Sequence, residues 1–252
     1  MERKPRVALL IDADNSPASK IDLILNELST FGETSIRRAY GNWKKQELKG
    51  WEDALHEHAI RPMQQYDYSK GKNASDMAMV IDAMAMLYTD RPDAFGIVSS
   101  DADFTPLVMH LREKGSAVYG FGAQKTPEPF VNACSRFLFL DQLAAAADDA
   151  PSAPSAPLRA PTSQLRQDAK LVALLRNAID AAKDENGWAR VGAVGQQIGN
   201  QASFDSRNYG YSTLTKLLAA TQLFELEKEG TSQVAVRDKR QAPTAKKPAG
   251  AK

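Results

Sequence analysis

Val7-Ala8-Leu9-Leu10-Ile11-Asp12-Ala13-Asp14-Asn15 runs five apolar residues straight into two aspartates. An apolar run of that length suits a strand buried on both faces, and its abrupt acidic end suits a strand that opens onto solvent. Phe95-Gly96-Ile97-Val98-Ser99-Ser100-Asp101-Ala102-Asp103-Phe104 repeats the pattern. These two stretches set the frame for the others. Ser16 and Pro17 predict a helix start, with Ile21, Ile24, Leu25 and Leu28 at helical spacing before Gly32. Further strands are predicted at 36–40, 61–66 and 117–121, and further helices at 46–58, 74–88 and 104–114, the last closed by Gly115. Strand–helix alternation of this kind predicts an α/β domain built on a parallel sheet with helices on both faces. In such open sheets ligands sit beyond the carboxyl ends of the strands.

Those ends are acidic. Asp12 and Asp14 follow one strand, Asp101 and Asp103 the other, and Asp76 opens the long helix after the polar loop Lys70-Gly71-Lys72-Asn73-Ala74-Ser75. Carboxylates brought together repel unless a cation sits between them. Hard oxygen donors in a partly open site suit Mg²⁺ or Mn²⁺, with water and substrate phosphate completing the shell. Asp76 and Asp103 each stand just before a helix, so a helix-capping role is open for either one. Convergence of separate strand ends favours the metal site for the group as a whole.

Composition divides the chain. Residues 144–163, AAAADDAPSAPSAPLRAPTS, read as a semi-extended Pro/Ala linker between folded units at 4–143 and 164–237, and the Lys/Ala/Pro-rich stretch 238–252 reads as a disordered basic tail. The first 147 residues carry a net charge of about −3 and the rest about +4, which suits an acidic site joined to a polyanion-binding module. Cys134 is the single cysteine, which excludes an internal disulfide and points to a cytoplasmic setting. No apolar run approaches the roughly 18 residues needed to span a bilayer, so no membrane partner is expected.

IDADN, KNASDMAMVIDAM and IVSSDADFTPLVMHLREKG, with RRAYGNW after the second strand, resemble the NYN domains of the PIN-like ribonuclease superfamily over about residues 6–141. The resemblance implies a Rossmann-like, PIN-like sheet and a Mg²⁺- or Mn²⁺-dependent endoribonuclease. Carried over by position, Asp12, Asp101 and Asp103 would hold the ion, and Asp76 would bind a second ion or orient the attacking water. Asn15 would steady Asp12 or meet a phosphate. Asp14 falls where the family pattern varies, and Ser100 stands where a glycine is common. Lys70 and Lys72 are candidates for the RNA backbone, with a plain solvated loop as the alternative. Arg38 joins Arg37, Tyr40 and Trp43 in a mix of charge and aromatics that suits unpaired bases, although both rings also suit packing.

In the last third, helices are predicted at 165–182, 191–198 and 212–220, the third capped by Ser212, followed by a hairpin over 224–236. Three helices and a hairpin make a small winged-helix domain, a form that binds nucleic acid or protein. LVALLRNAI, GWARVGAVGQQI and FDSRNYGYSTLTKLLAATQLFELE resemble the OST-HTH or LOTUS domain over about residues 164–237. That resemblance implies an RNA partner, single-stranded or structured and with a leaning to G-rich sequence, with Arg207, Tyr209, Tyr211 and Lys216 as contacts. A homodimer or a protein partner through this domain is the alternative.

Three functions compete. The first is a metal-dependent endoribonuclease whose C-terminal domain selects the RNA. The second is a non-catalytic RNA-binding adaptor with a vestigial acidic site. The third is a small-molecule phosphohydrolase using Asp12-Ala13-Asp14 as an aspartyl-phosphate motif. The third lacks its expected lysine and leaves an RNA-binding domain without a purpose.

Overall fold

The computed structural model describes residues 3–66, 73–147, 159–228, 230–231 and 233–241. The chain forms two compact units, one of residues 1–158 with 202–208 and the other of 159–201 with 209–252.

The first unit runs β1 (Arg6–Asp12), α1 (Ile21–Ser29), β2 (Glu33–Gly41), α2 (Glu52–Glu57), β3 (Arg61–Gln64), α3 (Ala74–Thr89), β4 (Ala94–Val98), α4 (Thr105–Glu113), β5 (Ala117–Gly122), α5 (Glu128–Ala133), β6 (Arg136–Phe139) and α6 (Leu140–Ala147). The strands form one six-stranded sheet in the order β3-β2-β1-β4-β5-β6. Every pairing is parallel. The predicted α/β class is the one observed. β1 and β4 occupy the centre, and from Val7 and Ala94 onward neither leaves a residue exposed to solvent.

Alternation along the central strands divides the core. Val7, Leu9 and Ile11 pack with Ile21, Ile24 and Leu28 on one face. Ala8 and Leu10, with Phe95 and Ile97, pack against Met79 and Ala83 of α3 and Leu107, Val108 and Leu111 of α4 on the other. Asp12 continues the second series by the period of two, so its side chain belongs to the α3/α4 face.

Several local expectations shift. Ser16-Pro17 does not cap α1: residues 18–20 form a 3-10 turn, and α1 begins at Ile21 behind Lys20, with no side-chain cap. The stretch predicted as a helix at 46–58 opens as a 3-10 helix over Gln46–Trp51 and becomes α-helical at Glu52. Gly115 does close α4, at φ +91°, the left-handed conformation that favours glycine. Strand β6 and helices α5 and α6 are additional to the elements predicted.

The second unit contains α7 (Thr162–Gln167), α8 (Ala169–Ala182), β7 (Ala189–Arg190), α9 (Val191–Gln201), α10 (Leu214–Thr221), β8 (Phe224–Glu227) and β9 (Ala235–Asp238). β7, β9 and β8 make a small antiparallel sheet. The single helix predicted over 165–182 is broken at Asp168, whose carboxylate accepts from Leu171 N at 2.9 Å and starts α8 afresh. Thr213, not Ser212, caps α10 by accepting from Lys216 N at 3.2 Å. Of the expected linker, residues 144–147 end α6, 162–163 begin α7, and 148–158 lie outside the described residues. Of the expected tail, 242–252 lie outside them too.

Candidate active site

Between β1 and β4 the chain's connections diverge, toward β2 and β3 on one side and β5 and β6 on the other. That divergence opens a crevice beyond the carboxyl ends of the two strands. Asp12 is the last residue of β1 and is only 1% exposed. Its carboxylate accepts from Asn15 Nδ2 at 3.3 and 3.0 Å and from Ser99 Oγ at 2.9 Å. Burial raises its pKa, and the bonds from Asn15 and Ser99 act against that rise. Asn15 is thus hydrogen-bonded to the carboxylate it was expected to steady.

Asp101 leaves β4 through the turn held by Ser99, whose Oγ accepts from Asp101 N at 3.1 Å. Asp101 Oδ1 then accepts from Asp103 N at 2.8 Å and caps the 3-10 turn Ala102–Phe104. The capping role proposed for Asp103 thus falls to Asp101. Asp103 itself is exposed, with Asn73 Nδ2 at the long distance of 3.5 Å from its carboxylate. Ser100 Oγ accepts from Ala123 N at 2.8 Å, so the serine at the glycine position ties this turn to the end of β5.

Asp76 lies in the first turn of α3 and does not cap it; Asn73 occupies the N-cap position. Its pKa is lifted to about 6, first by burial and then by the charges of Asp12, Asp101, Asp14 and Asp103. Five carboxylates therefore share one electrostatic neighbourhood at the sheet's edge. Asp14 accepts from Ser75 Oγ at 2.9 Å and pairs with Lys45 Nζ at 3.3 Å. Beside Asp14 and Asn15 lies a cavity of about 310 Å³ that reaches Glu47 and Trp51.

The donor chemistry fits a hard divalent cation: carboxylate oxygens, with neither thiolate nor imidazole among them. The repulsion felt by Asp76 is what such a cation would relieve. The side chains do not converge into the expected common shell. Among the described residues no group of three or more His, Cys, Asp or Glu is gathered closely enough to hold an ion. The reason is local, since Asp12 is turned toward Asn15 and Ser99 while Asp101 is turned into its own turn.

Other expected contacts are redistributed. Arg38 does not face outward: its guanidinium pairs with both oxygens of Asp82 at 2.6 Å, and Tyr40 OH donates to the same carboxylate. Tyr40 is 1% exposed. This group fastens β2 to α3, and Arg37 is likewise spent on the carbonyls of Thr34 and His58. Trp43 packs against the core, and its indole Nε1 is buried without a hydrogen-bond partner among the described residues. Lys70 and Lys72 lie outside the described residues. Arg207 turns back onto Asp205 at 2.8 and 3.0 Å. In the second unit, Tyr211 OH donates to Ala160 O at 2.8 Å, Tyr209 is half-buried, and Lys216 stands exposed in the first turn of α10. Ser99 and Ser75, which place Asp12 and Asp14, were not singled out from sequence. The only signal was a polar residue set against each acidic one.

A parallel sheet with carboxylates gathered where its connections diverge is the frame of a PIN-like, nuclease-type domain. Residues 6–141 match the NYN domain family, and the chain belongs to it. Residues 164–236 match the OST-HTH/LOTUS domain, a module of RNA-binding type. A stretch of 123 residues is 30% identical to an uncharacterized protein of Methanocaldococcus jannaschii, covering 47% of this chain and 48% of that protein. The chain thus spans about half the length of that relative. A crystal structure of a protein of unknown function from Vibrio parahaemolyticus covers 55% of this chain and 94% of its own, at 17% identity and a TM-score of 0.46. A solution NMR structure of an uncharacterized protein from Nitrosomonas europaea covers 36% of this chain and 91% of its own, at 33% identity and a TM-score of 0.25. With TM-scores below 0.5, these two likenesses establish neither fold nor function. No described helix is long and apolar enough to cross a membrane.

Proposed function

We propose that the protein is a metal-dependent endoribonuclease that hydrolyses RNA phosphodiester bonds at the carboxylate cluster and uses its OST-HTH/LOTUS domain to select the RNA. The observation that carries this reading is the placement of Asp12, Asp14, Asp76, Asp101 and Asp103 about the carboxyl ends of β1 and β4, near enough for the other four to raise the Asp76 pKa. Five like charges placed where the sheet's connections diverge cost stability in isolation, and a hydrolytic site is a reason to keep them there. A divalent Mg²⁺ or Mn²⁺ bound among them would lower the pKa of a coordinated water and neutralise the phosphate's non-bridging oxygens. Asp12, Asp101 and Asp103 are the residues to hold it. Asp76 orients the attacking water or supports a second ion. Asn15 and Ser99 hold the Asp12 carboxylate in a fixed orientation.

The side chains' failure to form a common shell favours a second reading, a non-catalytic RNA-binding adaptor. One experiment separates the two. The purified chain is incubated with end-labelled RNAs in Mn²⁺, in Mg²⁺ and with a chelator, alongside Asp101→Asn. Cleavage that needs the metal and is lost in the variant supports the enzyme. RNA binding with no cleavage in any metal supports the adaptor.

A further inference from the structure

The strands β1, β2 and β3 end side by side, so the segments leaving them form one rim at the carboxyl edge of the sheet. The rim is fastened along its length. Lys45, after β2, reaches back to Asp14 at 3.3 Å. Gln64, at the end of β3, donates to Asn42 Oδ1 at 3.1 Å and accepts from Trp43 N at 3.1 Å. Gln65 N donates to Gly41 O at 3.1 Å, which extends the β2–β3 pairing by one residue.

At the outer end of this rim stands Tyr66. Tyr66 is 49% exposed, whereas Tyr40, on β2, is 1% exposed. Lys44 Nζ lies 5.0 Å from the Tyr66 ring centroid. The ammonium thus lies over one face of the ring in a cation–π contact, which leaves the other face for a base, and its charge also suits phosphate. The bond from Gln65 to Gly41 holds the backbone just before Tyr66. The ring is therefore presented from a paired strand end.

Distance sets what such a platform can meet. Two strand spacings separate β1 from β3, about 10 Å. That is about one to two nucleotides of an extended single strand whose backbone lies at Asp12. Aromatic rings stack on any base, so the platform needs an unpaired nucleotide and does not require a given sequence. Charge plus aromatic was expected at Arg37, Arg38, Tyr40 and Trp43. The fold buries or pairs those residues and leaves Tyr66 and Lys44 at the surface.

We propose that Tyr66, flanked by Lys44, is a stacking subsite for an unpaired RNA base about one or two nucleotides from the scissile phosphate. The proposal rests on the reading of the acidic crevice as a ribonuclease site, and the test separates the two. Short single-stranded RNAs carrying one abasic nucleotide, moved stepwise across the cleavage point, are given to the full-length chain and to Tyr66→Ala and Tyr66→Trp. KM and kcat are measured in Mn²⁺, and Kd is measured with a chelator present. For the parent chain, one abasic position near the cut should raise KM and Kd about tenfold. Tyr66→Ala should show that loss on intact RNA and no longer respond to the abasic position, with kcat within about twofold. Tyr66→Trp should restore the parent pattern. Cleavage by Tyr66→Ala with unchanged KM, or an abasic response that survives the substitution, overturns the subsite. If no protein cleaves in any metal, the nuclease reading fails by itself. The Kd pattern then still decides whether Tyr66 stacks a base.

Discussion

Replacing Asp76 by asparagine should stabilise the metal-free protein at neutral pH. In the folded state the Asp76 carboxyl is lifted from 3.8 to about 6 by burial and by Asp12, Asp101, Asp14 and Asp103. A folded-state pKa above the unfolded one favours folding only while the group stays protonated. Its contribution is fully present below about pH 3.8 and is lost as pH rises through about 6. Taken at face value the lift corresponds to about 3 kcal/mol at pH 7.5. Asp76 is only half-buried, and solvent screening cuts this to about 1 kcal/mol. For a unit of this size that is a rise in Tm of about 3 °C. Thermal unfolding followed by circular dichroism, in chelator and across pH 4 to 8, should show no gain near pH 4. The gain should grow between pH 4 and 6 and stay level above. Saturating Mn²⁺ should shrink or reverse it, because the parent gains a ligand that the variant binds less well. A variant no more stable than its parent at pH 7.5, or equally stabilised at pH 4, would refute the claim that these carboxylates repel one another.

Other substitutions follow from the same packing. Arg38→Ala leaves the Asp82 carboxylate partly buried and unpaired beside Tyr40, and should lower stability in urea by about 2 kcal/mol with little change in RNA affinity. A loss of RNA affinity without a loss of stability would return Arg38 to the RNA surface. Gly120→Ala would set a methyl 2.4 Å from Phe137 and 2.7 Å from Cys134 Sγ, and should cost about 1–3 kcal/mol in the same assay. A chain ending at about residue 150, which also gives up residues 202–208 of the first unit, should be less stable but still cleave RNA in Mn²⁺, since every proposed ligand precedes that point, and should bind RNA more weakly once tethering is lost. The separate segment 160–240 should bind RNA without cutting it, with an affinity that falls as salt rises and a slope that flattens in Lys216→Ala. A segment that shows no RNA binding at low salt would be reassigned to a protein partner.

What could be read from sequence depended on range. The apolar runs of β1 and β4 and the aspartates that follow them are local signals, and they marked two buried strands with acidic carboxyl ends. Arg136–Phe139, four residues at a sheet edge, was not predicted as a strand. The pairing of Arg38 with Asp82 spans 44 residues and exists only because β2 packs on α3, so Arg38 read as a cation for RNA, while Tyr40 already suited packing. Asp101 and Asp103 were placed correctly after β4. Which of them caps the turn depended on the path of one loop. Tyr66 went unnoticed for the converse reason: an isolated tyrosine gives no sign of exposure until the strand that carries it is placed.

Asp12, the buried carboxylate that ends β1, is the residue on which the nuclease reading rests most heavily. Asparagine there keeps the shape and one acceptor for the bonds from Asn15 and Ser99, but removes the charge that would bind an ion. The decisive measurement is the single-turnover rate of cleavage of a labelled RNA at saturating Mn²⁺ by the parent and by Asp12→Asn. A fall of about 100-fold or more in that rate is expected, with RNA affinity in chelator within about twofold of the parent. Cleavage by Asp12→Asn at more than about a few per cent of the parent rate would contradict it.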